Sequence, residues 1–353
     1  MIPFAPGPSK VHAQVPVYLQ DAYTAGILSA NHRSATFMEL YARVEQLFRE
    51  KLGLPEGYRL IFTSSATENW EILSQSLVQE ASYHVYSGAF GKKWVDFAQH
   101  IHPKTQALKL EAGQEIPVAD LQLPEGTELL AITQNETANA SAVSMETLRA
   151  LRERFPEQLI AVDTTSSMGG ITLDFSLADC WYASVQKCFG LPAGLGVLLL
   201  SPKAEARCAA VGERGRYNSL SFALENARNH QTHYTPNVLG IYLLCRVLED
   251  MPEIAVVDAQ TRARMEAWEA AVAANPHLDF HVPNAATRSR TVLAVTLSEE
   301  ALQRAKTAAS ALGYQLGGGY GALKTSTFRL ANFPAFTAEE SAGMAAFLAT
   351  FNG

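Results

Sequence analysis

The chain has 353 residues, of which 48% are hydrophobic and 18% are charged. This balance is typical of a globular enzyme and excludes a disordered chain. The 28 Lys and Arg residues against 35 Asp and Glu residues give a net charge of −7, so no basic surface for nucleic acid is expected.

Several sequence features predict a cytoplasmic protein. The segment Met1–Pro8 lacks the charged and apolar regions of a secretory signal, and no apolar run approaches membrane-spanning length. The cysteines show no CxxC spacing, and they are Cys180, Cys188, Cys208 and Cys245. They indicate reduced, mostly buried thiols, and we expect no metal site and no membrane partner.

The N-terminal residues are rich in proline and predict an extended arm as far as Pro16. An amphipathic pattern over residues 37–48 then predicts a helix, with Ser34 as its cap. His32 and Arg33 directly precede that helix N-terminus, a place where anions are favoured. Taken alone, such a pair is more often part of a solvated loop.

A possible phosphate site follows the next predicted strand. Leu60–Thr63 predicts the strand, and the small hydroxyl residues Ser64–Thr67 follow at once. Ser65 and Glu68 have the spacing of a capping box, so a helix is expected to start there. Backbone N–H groups and hydroxyls at such a turn suit a phosphate, although any capped helix looks similar.

Two further strands end in residues of unusual shape or polarity. Val85–Gly91 predicts a strand that leads to Phe90, an aromatic residue flanked by small ones. Such a ring can stack on a flat ligand, and core packing is the alternative. Leu129–Thr133 predicts another strand, which ends in the polar segment Gln134–Thr137. A helix around residues 143–155 is expected after it.

The next strands end near a carboxylate and a lysine. Leu159–Asp163 predicts a strand with Asp163 at its C-terminal end, and the apolar runs Cys180–Ala183 and Gly194–Leu200 flank Lys187. A lysine between buried strands loses solvation, which lowers its pKa and frees the amine for Schiff-base chemistry. Alone, a lysine whose ammonium group reaches water is the commoner case.

These polar residues share a position relative to the predicted sheet. Strands that alternate with helices imply a parallel sheet, and ligands bind beyond the carboxyl ends of such strands. The strand ends in question carry Ser64–Thr67, Phe90, Thr137, Asp163 and Lys187. Their coincidence predicts one shared binding site more strongly than any single motif does.

Together these residues resemble the class V branch of the fold-type-I pyridoxal-phosphate (PLP) aminotransferases, and most closely the phosphoserine aminotransferase family. The resemblance covers nearly the whole chain in the same order. It is carried by Asn135–Thr137, by Asp163 with its hydroxyl-rich tail, and by Gln186-Lys187 with Gly190–Gly194. Asn31–Ser34 looks like the family's Ser-His-Arg-Ser.

The resemblance implies an α/β fold of PLP-transferase fold type I. The large domain, residues 12–255, is expected to hold a mostly parallel seven-stranded sheet between helices. A smaller α+β domain is expected at residues 256–353, with the N-terminal arm, residues 1–11, packed on it. The resemblance also implies a homodimer with shared active sites.

The resemblance assigns the cofactor, pyridoxal 5'-phosphate, to residues at the strand ends. Lys187 forms the Schiff base and later moves a proton, and Asp163 pairs with the protonated pyridine nitrogen. The other implied cofactor contacts are Phe90 on the ring face, Thr137 at the ring hydroxyl, and Ala66, Thr67 and Gln186 at the phosphate. Thr235 resembles a phosphate contact lent by the partner subunit, although the family commonly has Asn where Tyr234 stands.

The resemblance also places the substrate on basic side chains. Arg329 holds its α-carboxylate in a bidentate pair, and His32 and Arg33 bind its phosphate from across the subunit interface. The family usually carries a second His-Arg pair shortly before this arginine, whereas this chain has the stretch Gly317–Lys324. Lys324 can substitute as a point charge but cannot form a bidentate fork.

The predicted function is amino-group transfer between phosphoserine and 3-phosphohydroxypyruvate, with glutamate and 2-oxoglutarate, in serine biosynthesis. The glycine-rich Gly317–Lys324 stretch also looks like alanine– or serine–glyoxylate aminotransferases, which remain an alternative. Cysteine desulfurases need a nucleophilic cysteine on a late mobile loop, but Cys245 lies in a helical apolar pattern. A non-catalytic regulator is disfavoured because Lys187, Asp163 and Arg329 are all present.

Overall fold

The computed structural model describes residues 1–353 and contains eleven α-helices and fifteen β-strands. In chain order the helices are α1 (Val15–Thr24), α2 (Ala35–Leu52), α3 (Glu68–Leu77), α4 (Ala89–Ile101), α5 (Met145–Arg154), α6 (Pro202–Val211), α7 (Leu220–Ala227), α8 (Val238–Asp250), α9 (Ile254–Ala274), α10 (Glu299–Ala311) and α11 (Ala338–Thr350). The strands are β1 (Ile2–Pro3), β2 (Arg59–Thr63), β3 (Ala81–Tyr86), β4 (Gln106–Lys109), β5 (Thr127–Thr133), β6 (Asn135–Glu136), β7 (Ser141–Ala142), β8 (Leu159–Asp163), β9 (Cys180–Ser184), β10 (Gly196–Leu200), β11 (Asp279–Phe280), β12 (Val292–Thr296), β13 (Tyr314–Gln315), β14 (Gly317–Gly318) and β15 (Thr327–Ala331). None of the helices is both long and apolar enough to span a membrane.

The main sheet has seven strands in the order β2-β10-β9-β8-β5-β3-β4. Strands β9, β8, β5, β3 and β4 pair in parallel, and only β10 runs antiparallel to both of its neighbours. Every residue of β8, β9 and β10 is buried, as expected for a sheet covered on both faces. The predicted α/β fold with a mostly parallel seven-stranded sheet is confirmed.

The register of this sheet aligns the ends of its central strands. Thr133 at the end of β5 pairs with Asp163 at the end of β8, and Asp163 pairs with Tyr182 on β9. On the other side, Ser184 at the end of β9 lies opposite the first residue of β10, which lies opposite Thr63 of β2. Side chains that follow these strands therefore meet at one edge of the sheet.

A second, antiparallel sheet has the order β11-β12-β15-β14 and is built from residues late in the chain. It packs with α9, α10 and α11 around a hydrophobic core that is separate from the core of the main sheet. Arg329 lies on β15 between Ala294 of β12 and Gly317 of β14. The exact division between two domains at residues 255 and 256 stays a prediction.

The N-terminal residues cross to this second core. Strand β1 pairs in parallel with β13, and the Phe4 ring stacks on the Phe336 ring with centroids 4.5 Å apart. The predicted extension of the arm to Pro16 is wrong, because α1 begins at Val15. Pro16 lies in the first turn of that helix, where its missing N–H removes no hydrogen bond.

Candidate active site

A pocket of about 210 Å³ lies at the carboxyl edge of the main sheet, where the second sheet and the N-terminal arm approach it. Eight residues predicted from the sequence line it, namely Ala66, Thr67, Phe90, Thr137, Asp163, Gln186, Lys187 and Arg329. The register of the sheet brings the first seven together, and β15 supplies Arg329 from the second sheet.

Lys187 lies three residues beyond the end of β9, and only 7% of it is exposed. Its Nζ donates hydrogen bonds to Thr137 Oγ1 at 2.7 Å and to Ser166 Oγ at 2.8 Å. Burial lowers the pKa of Lys187 to about 8, although the nearby carboxyl groups of Asp163 and Glu136 favour the charged form. Such an amine loses its proton far more readily than an exposed lysine does.

Asp163 ends β8 and is buried beside this lysine. Its Oδ1 accepts a hydrogen bond from the backbone N–H of Thr165 at 2.9 Å. Burial raises the pKa of Asp163, while the Thr165 hydrogen bonds and the charge of Lys187 act in the opposite direction. Tyr182 also hydrogen-bonds to this carboxyl group, and Trp70 Nε1 donates to the Tyr182 hydroxyl at 2.9 Å. The carboxyl group is therefore held in one orientation at the sheet edge.

Glu136 is a fully buried carboxyl group that joins two walls of the pocket. It accepts hydrogen bonds from the backbone N–H groups of Phe90 and Gly91 at 3.0 Å each and of Ala138 at 2.8 Å. Burial raises its pKa, and the backbone hydrogen bonds oppose that rise. The carboxyl group fixes the start of α4, and with it Phe90, relative to Thr137.

The turn after β2 lines the pocket with backbone N–H groups and hydroxyl groups. The Ala66 N–H donates to Ser184 Oγ at 2.7 Å, whereas the N–H and hydroxyl of Thr67 have no partner within the chain. The predicted capping box is displaced, because Glu68 accepts from the Ser64 N–H at 2.7 Å. Ser65 Oγ still accepts from the Glu68 N–H at 3.2 Å.

An orphaned polar atom shows that the pocket suits a polar ligand. Gln186 Oε1 is buried and has no hydrogen-bond partner in the chain, and its residue lines the pocket. Buried polar atoms are normally satisfied, so a ligand with polar groups fits here. The half-buried Phe90 ring, whose centroid lies 5.4 Å from Lys187 Nζ, adds a flat apolar surface. These features match an aromatic ring that carries an aldehyde, a basic nitrogen and an anion.

Arg329 closes the pocket from the second sheet. Its Nε donates to the Gly318 carbonyl at 2.8 Å and its Nη1 donates to the Thr137 carbonyl at 2.6 Å. Burial lowers the pKa of the guanidinium group, and the nearby carboxyl group of Glu136 opposes this shift. A buried guanidinium group held in this way presents its remaining N–H groups to a carboxylate.

Four predicted residues lie outside the pocket lining of the single chain. His32 is half-buried, and Arg33, Thr235 and Lys324 are exposed. Lys324 belongs to the loop before β15, yet the residue of this loop that lines the pocket is Tyr320. The arrangement of one chain therefore does not bring these four side chains to Lys187.

Sequence reasoning missed half of the pocket lining: Pro6, Gly7, Pro8, Trp70, Asn135, Thr165, Ser184 and Tyr320. Asn135 and Thr165 stand beside predicted site residues, and neighbouring positions at strand ends were a usable signal. The segment Pro6–Pro8 carried a weaker signal, since a glycine lets the backbone approach another residue closely. Gly7 has a φ of +150°, and a Cβ there would lie 3.0 Å from Lys187 Cε.

Comparison with known proteins defines the class. A sequence model of the family described as aminotransferase class V matches residues 5–315. The chain belongs to this family and is a PLP-dependent aminotransferase of fold type I. No group of three or more His, Cys, Asp or Glu side chains is arranged to hold a metal ion.

Individual relatives and solved structures narrow the comparison within this family. The chain is 31% identical over 258 residues to the phosphoserine aminotransferase of a Nocardioides species. The aligned residues cover 70% of this chain and 67% of the relative. The crystal structure of a phosphoserine aminotransferase from Cytophaga hutchinsonii is 31% identical and has a TM-score of 0.94, covering 100% of this chain and 99% of that one. An alanine–glyoxylate aminotransferase from a Nostoc species shares the fold, with a TM-score of 0.80 at 20% identity over 99% and 94% of the two chains.

Proposed function

We propose that this aminotransferase exchanges amino groups between phosphoserine and 3-phosphohydroxypyruvate on one side and glutamate and 2-oxoglutarate on the other. The reaction would serve serine biosynthesis in the cytoplasm. The observation that carries the proposal is the likeness over the entire chain to the Cytophaga phosphoserine aminotransferase. The pocket supports it, because one cavity contains a buried amine, a buried carboxyl group and a buried guanidinium group.

The cofactor supplies an electron sink for the carbanion at the substrate Cα. Lys187 Nζ would hold the cofactor aldehyde, and its amine would move the proton at the substrate Cα. Asp163 would pair with the ring nitrogen, and its buried position would strengthen that charge pair. Thr137 would hold the ring hydroxyl, and Phe90 would pack on the ring.

The cofactor phosphate is assigned to the turn after β2 and to Gln186. Thr67 contributes an N–H and a hydroxyl group that have no partner in the chain, and Gln186 contributes its side-chain amide. Ala66 contributes its N–H once this group turns from Ser184 Oγ to the phosphate. Thr235 completes this site from the partner subunit.

The substrate is held at its two acidic ends. Arg329 binds the α-carboxylate, since its guanidinium group is fixed by two backbone carbonyl groups at the pocket wall. His32 and Arg33 of the partner subunit bind the phosphate, because a phosphate monoester needs several cationic or N–H partners. In this assignment the homodimer is the active unit.

A desulfurase function finds no support in the cysteines. All four are buried, and burial raises the pKa of the Cys245 thiol to about 12. A thiol of this kind is a poor nucleophile near neutral pH. The glyoxylate-linked aminotransferases remain the second candidate, because no second His-Arg pair stands before Arg329 and Lys324 lies outside the pocket lining.

The deciding experiment compares phosphoserine, serine and alanine as amino donors for the wild type and for Arg33→Ala. The variant is expected to lose about 2–4 kcal/mol in kcat/KM for phosphoserine, as for a truncated charge pair, with little change for alanine. Arg262→Ala, which removes another exposed arginine without an ion pair, is the control. If the wild type prefers alanine, or if Arg33→Ala damages both donors equally, the glyoxylate-linked function replaces this one.

A mixing experiment tests the shared site. Lys187→Ala and Arg33→Ala homodimers are each expected to be poorly active toward phosphoserine. Subunit exchange between them gives heterodimers with one site that keeps both residues, so activity should partly return. Full activity of a monomer in sedimentation would contradict the dimer assignment.

A further inference from the structure

An exposed lysine without an acidic partner lies beside two aromatic residues of the active-site pocket. Lys93, on the exposed side of α4, donates from Nζ to the Tyr320 hydroxyl at 2.7 Å. The same Nζ lies 5.6 Å from the centroid of the Phe90 ring and 5.4 Å from that of Tyr320. Its neighbour Lys92 forms an ion pair with Asp96, whereas Lys93 pairs with no carboxylate.

The two rings beside Lys93 belong to the pocket wall. Their centroids lie 5.2 Å apart, and both rings line the pocket. Arg329 Cζ lies 5.8 Å from the Tyr320 centroid, so the guanidinium group and the Lys93 ammonium group approach the same ring. One cation comes from the second sheet and the other from a helix of the main-sheet unit. Tyr320 therefore has beside it one cation of the pocket lining and one exposed cation.

We propose that Lys93 is a specificity-determining residue that binds the acidic side-chain group of the substrate while Arg329 holds its α-carboxylate. The proposal deepens the aminotransferase function assigned to this pocket and depends on it. The substrate class is amino acids and 2-oxo acids with a second anionic group. Tyr320 is a positioning residue, since its hydroxyl group takes one Lys93 donor and leaves two free for an anion.

Lys93 fits this place better than Lys324 does. Both lysines are exposed and lie outside the pocket lining, but Lys93 donates a hydrogen bond to Tyr320 of the pocket wall, whereas Lys324 forms no side-chain hydrogen bond or ion pair. An ammonium group is a compact charge without the fork geometry of arginine. Lys93 therefore distinguishes charged from neutral side chains, and carboxylates and phosphates both satisfy it.

The test uses the PLP-loaded enzyme, with Lys93→Met compared against Lys92→Met on the same helix. Calorimetry measures the binding of glutarate, which has two carboxylates, and of butyrate, which has one. Steady-state kinetics measure kcat/KM for phosphoserine, glutamate and alanine. Lys93→Met is expected to weaken glutarate binding and to lower kcat/KM for both acidic donors by about tenfold, as for a lost hydrogen bond to a charged group.

Butyrate binding and alanine turnover should stay unchanged in Lys93→Met, and Lys92→Met should resemble the wild type throughout. The wild type should bind glutarate more tightly than Lys93→Met does, and this difference in affinity should shrink in high salt, because Lys93 is exposed and its charge is screened. Lys93→Arg should keep most of the selectivity, and Tyr320→Phe should lose part of it.

Equal losses for acidic and neutral ligands, or no loss at all, would overturn the role of Lys93. A wild type that prefers alanine to phosphoserine would overturn the proposed substrate instead. In that case the ratio of glutarate to butyrate binding still decides whether Lys93 selects a second acidic group. The two failures are therefore distinguishable.

Discussion

Glu136 accepts a hydrogen bond from the backbone N–H of Phe90 at 3.0 Å, although 46 positions separate the two residues in the chain. The same carboxyl oxygen accepts from Gly91, and its partner oxygen accepts from Ala138. One buried side chain thus joins the start of α4, which carries Phe90, to the segment that carries Thr137.

Glu136→Ala is expected to lower the free energy of unfolding by about 2–4 kcal/mol, because three buried N–H groups lose their acceptor. Glu136→Gln keeps an acceptor oxygen and should lose less. Urea denaturation measures both, with the exposed Glu125→Ala as the control. Wild-type stability in Glu136→Ala would show that these N–H groups find other partners.

The burial of Lys187 predicts a pH-dependent stability. Because its folded-state pKa is lowered from 10.5 to about 8, the unfolded chain binds this proton more tightly than the folded chain does. Below pH 8 the lysine therefore lowers the stability of the cofactor-free protein by about 2–4 kcal/mol, and this penalty fades as the pH rises from 8 toward 10.5.

Lys187→Met should accordingly be more stable than the wild type at pH 7, with a difference that shrinks as the pH rises to 10. Denaturation of the cofactor-free proteins at several pH values measures the difference, and Lys92→Met provides an exposed lysine for comparison. A difference that does not vary with pH would mean that Lys187 is not destabilised by burial.

Asp163→Asn tests the proposed pairing of this carboxyl group with the cofactor ring nitrogen. The amide oxygen can still accept from the Thr165 N–H, so the fold and melting temperature should change little. Turnover should fall by several orders of magnitude, since a neutral amide does not keep the ring nitrogen protonated. Asp120→Asn, at an exposed turn, is the control, and a near-normal rate in Asp163→Asn would remove this residue from the mechanism.

Gly7→Ala tests the contact between the N-terminal arm and the lysine. The residue has a φ of +150°, and the added methyl group would lie 3.0 Å from Lys187 Cε and 3.6 Å from Nζ. We expect a loss of about 1–2 kcal/mol in stability from backbone strain, together with a lower kcat from displacement of the lysine.

Gly26→Ala is the matched control for Gly7. Gly26 also has a positive φ, of +71°, but a Cβ there would meet nothing within 4 Å. Its substitution should therefore reduce stability without reducing kcat. If both variants keep full turnover, the arm does not constrain Lys187.

Much of the site was predictable because strand ends are local features of the sequence. The apolar runs ending at Thr63, Asp163 and Ser184 specify strands of one sheet, and their carboxyl ends meet at one edge. Asp163 and Lys187 could be placed in one site from this rule and from family resemblance.

Other parts of the pocket depend on contacts that no local pattern encodes. Gly7 reaches Lys187 because β1 pairs with β13 and Phe4 packs against Phe336, residues more than 300 positions away. Lys93 looks like any exposed helix lysine until Tyr320 of the second sheet's loop meets it.

The sequence by itself therefore determined the strands and the polar residues at their ends, since periodicity and strand ends act over short distances, while the family resemblance assigned Lys187 and Asp163 to the cofactor. Only the tertiary structure decided which residues of the arm and of the Gly317–Lys324 loop enter the pocket. The physical reason is that the docking of separate cores, each driven by nondirectional burial of apolar surface, sets those distances. This docking brought Tyr320 into the pocket lining and left Lys324 exposed outside the pocket.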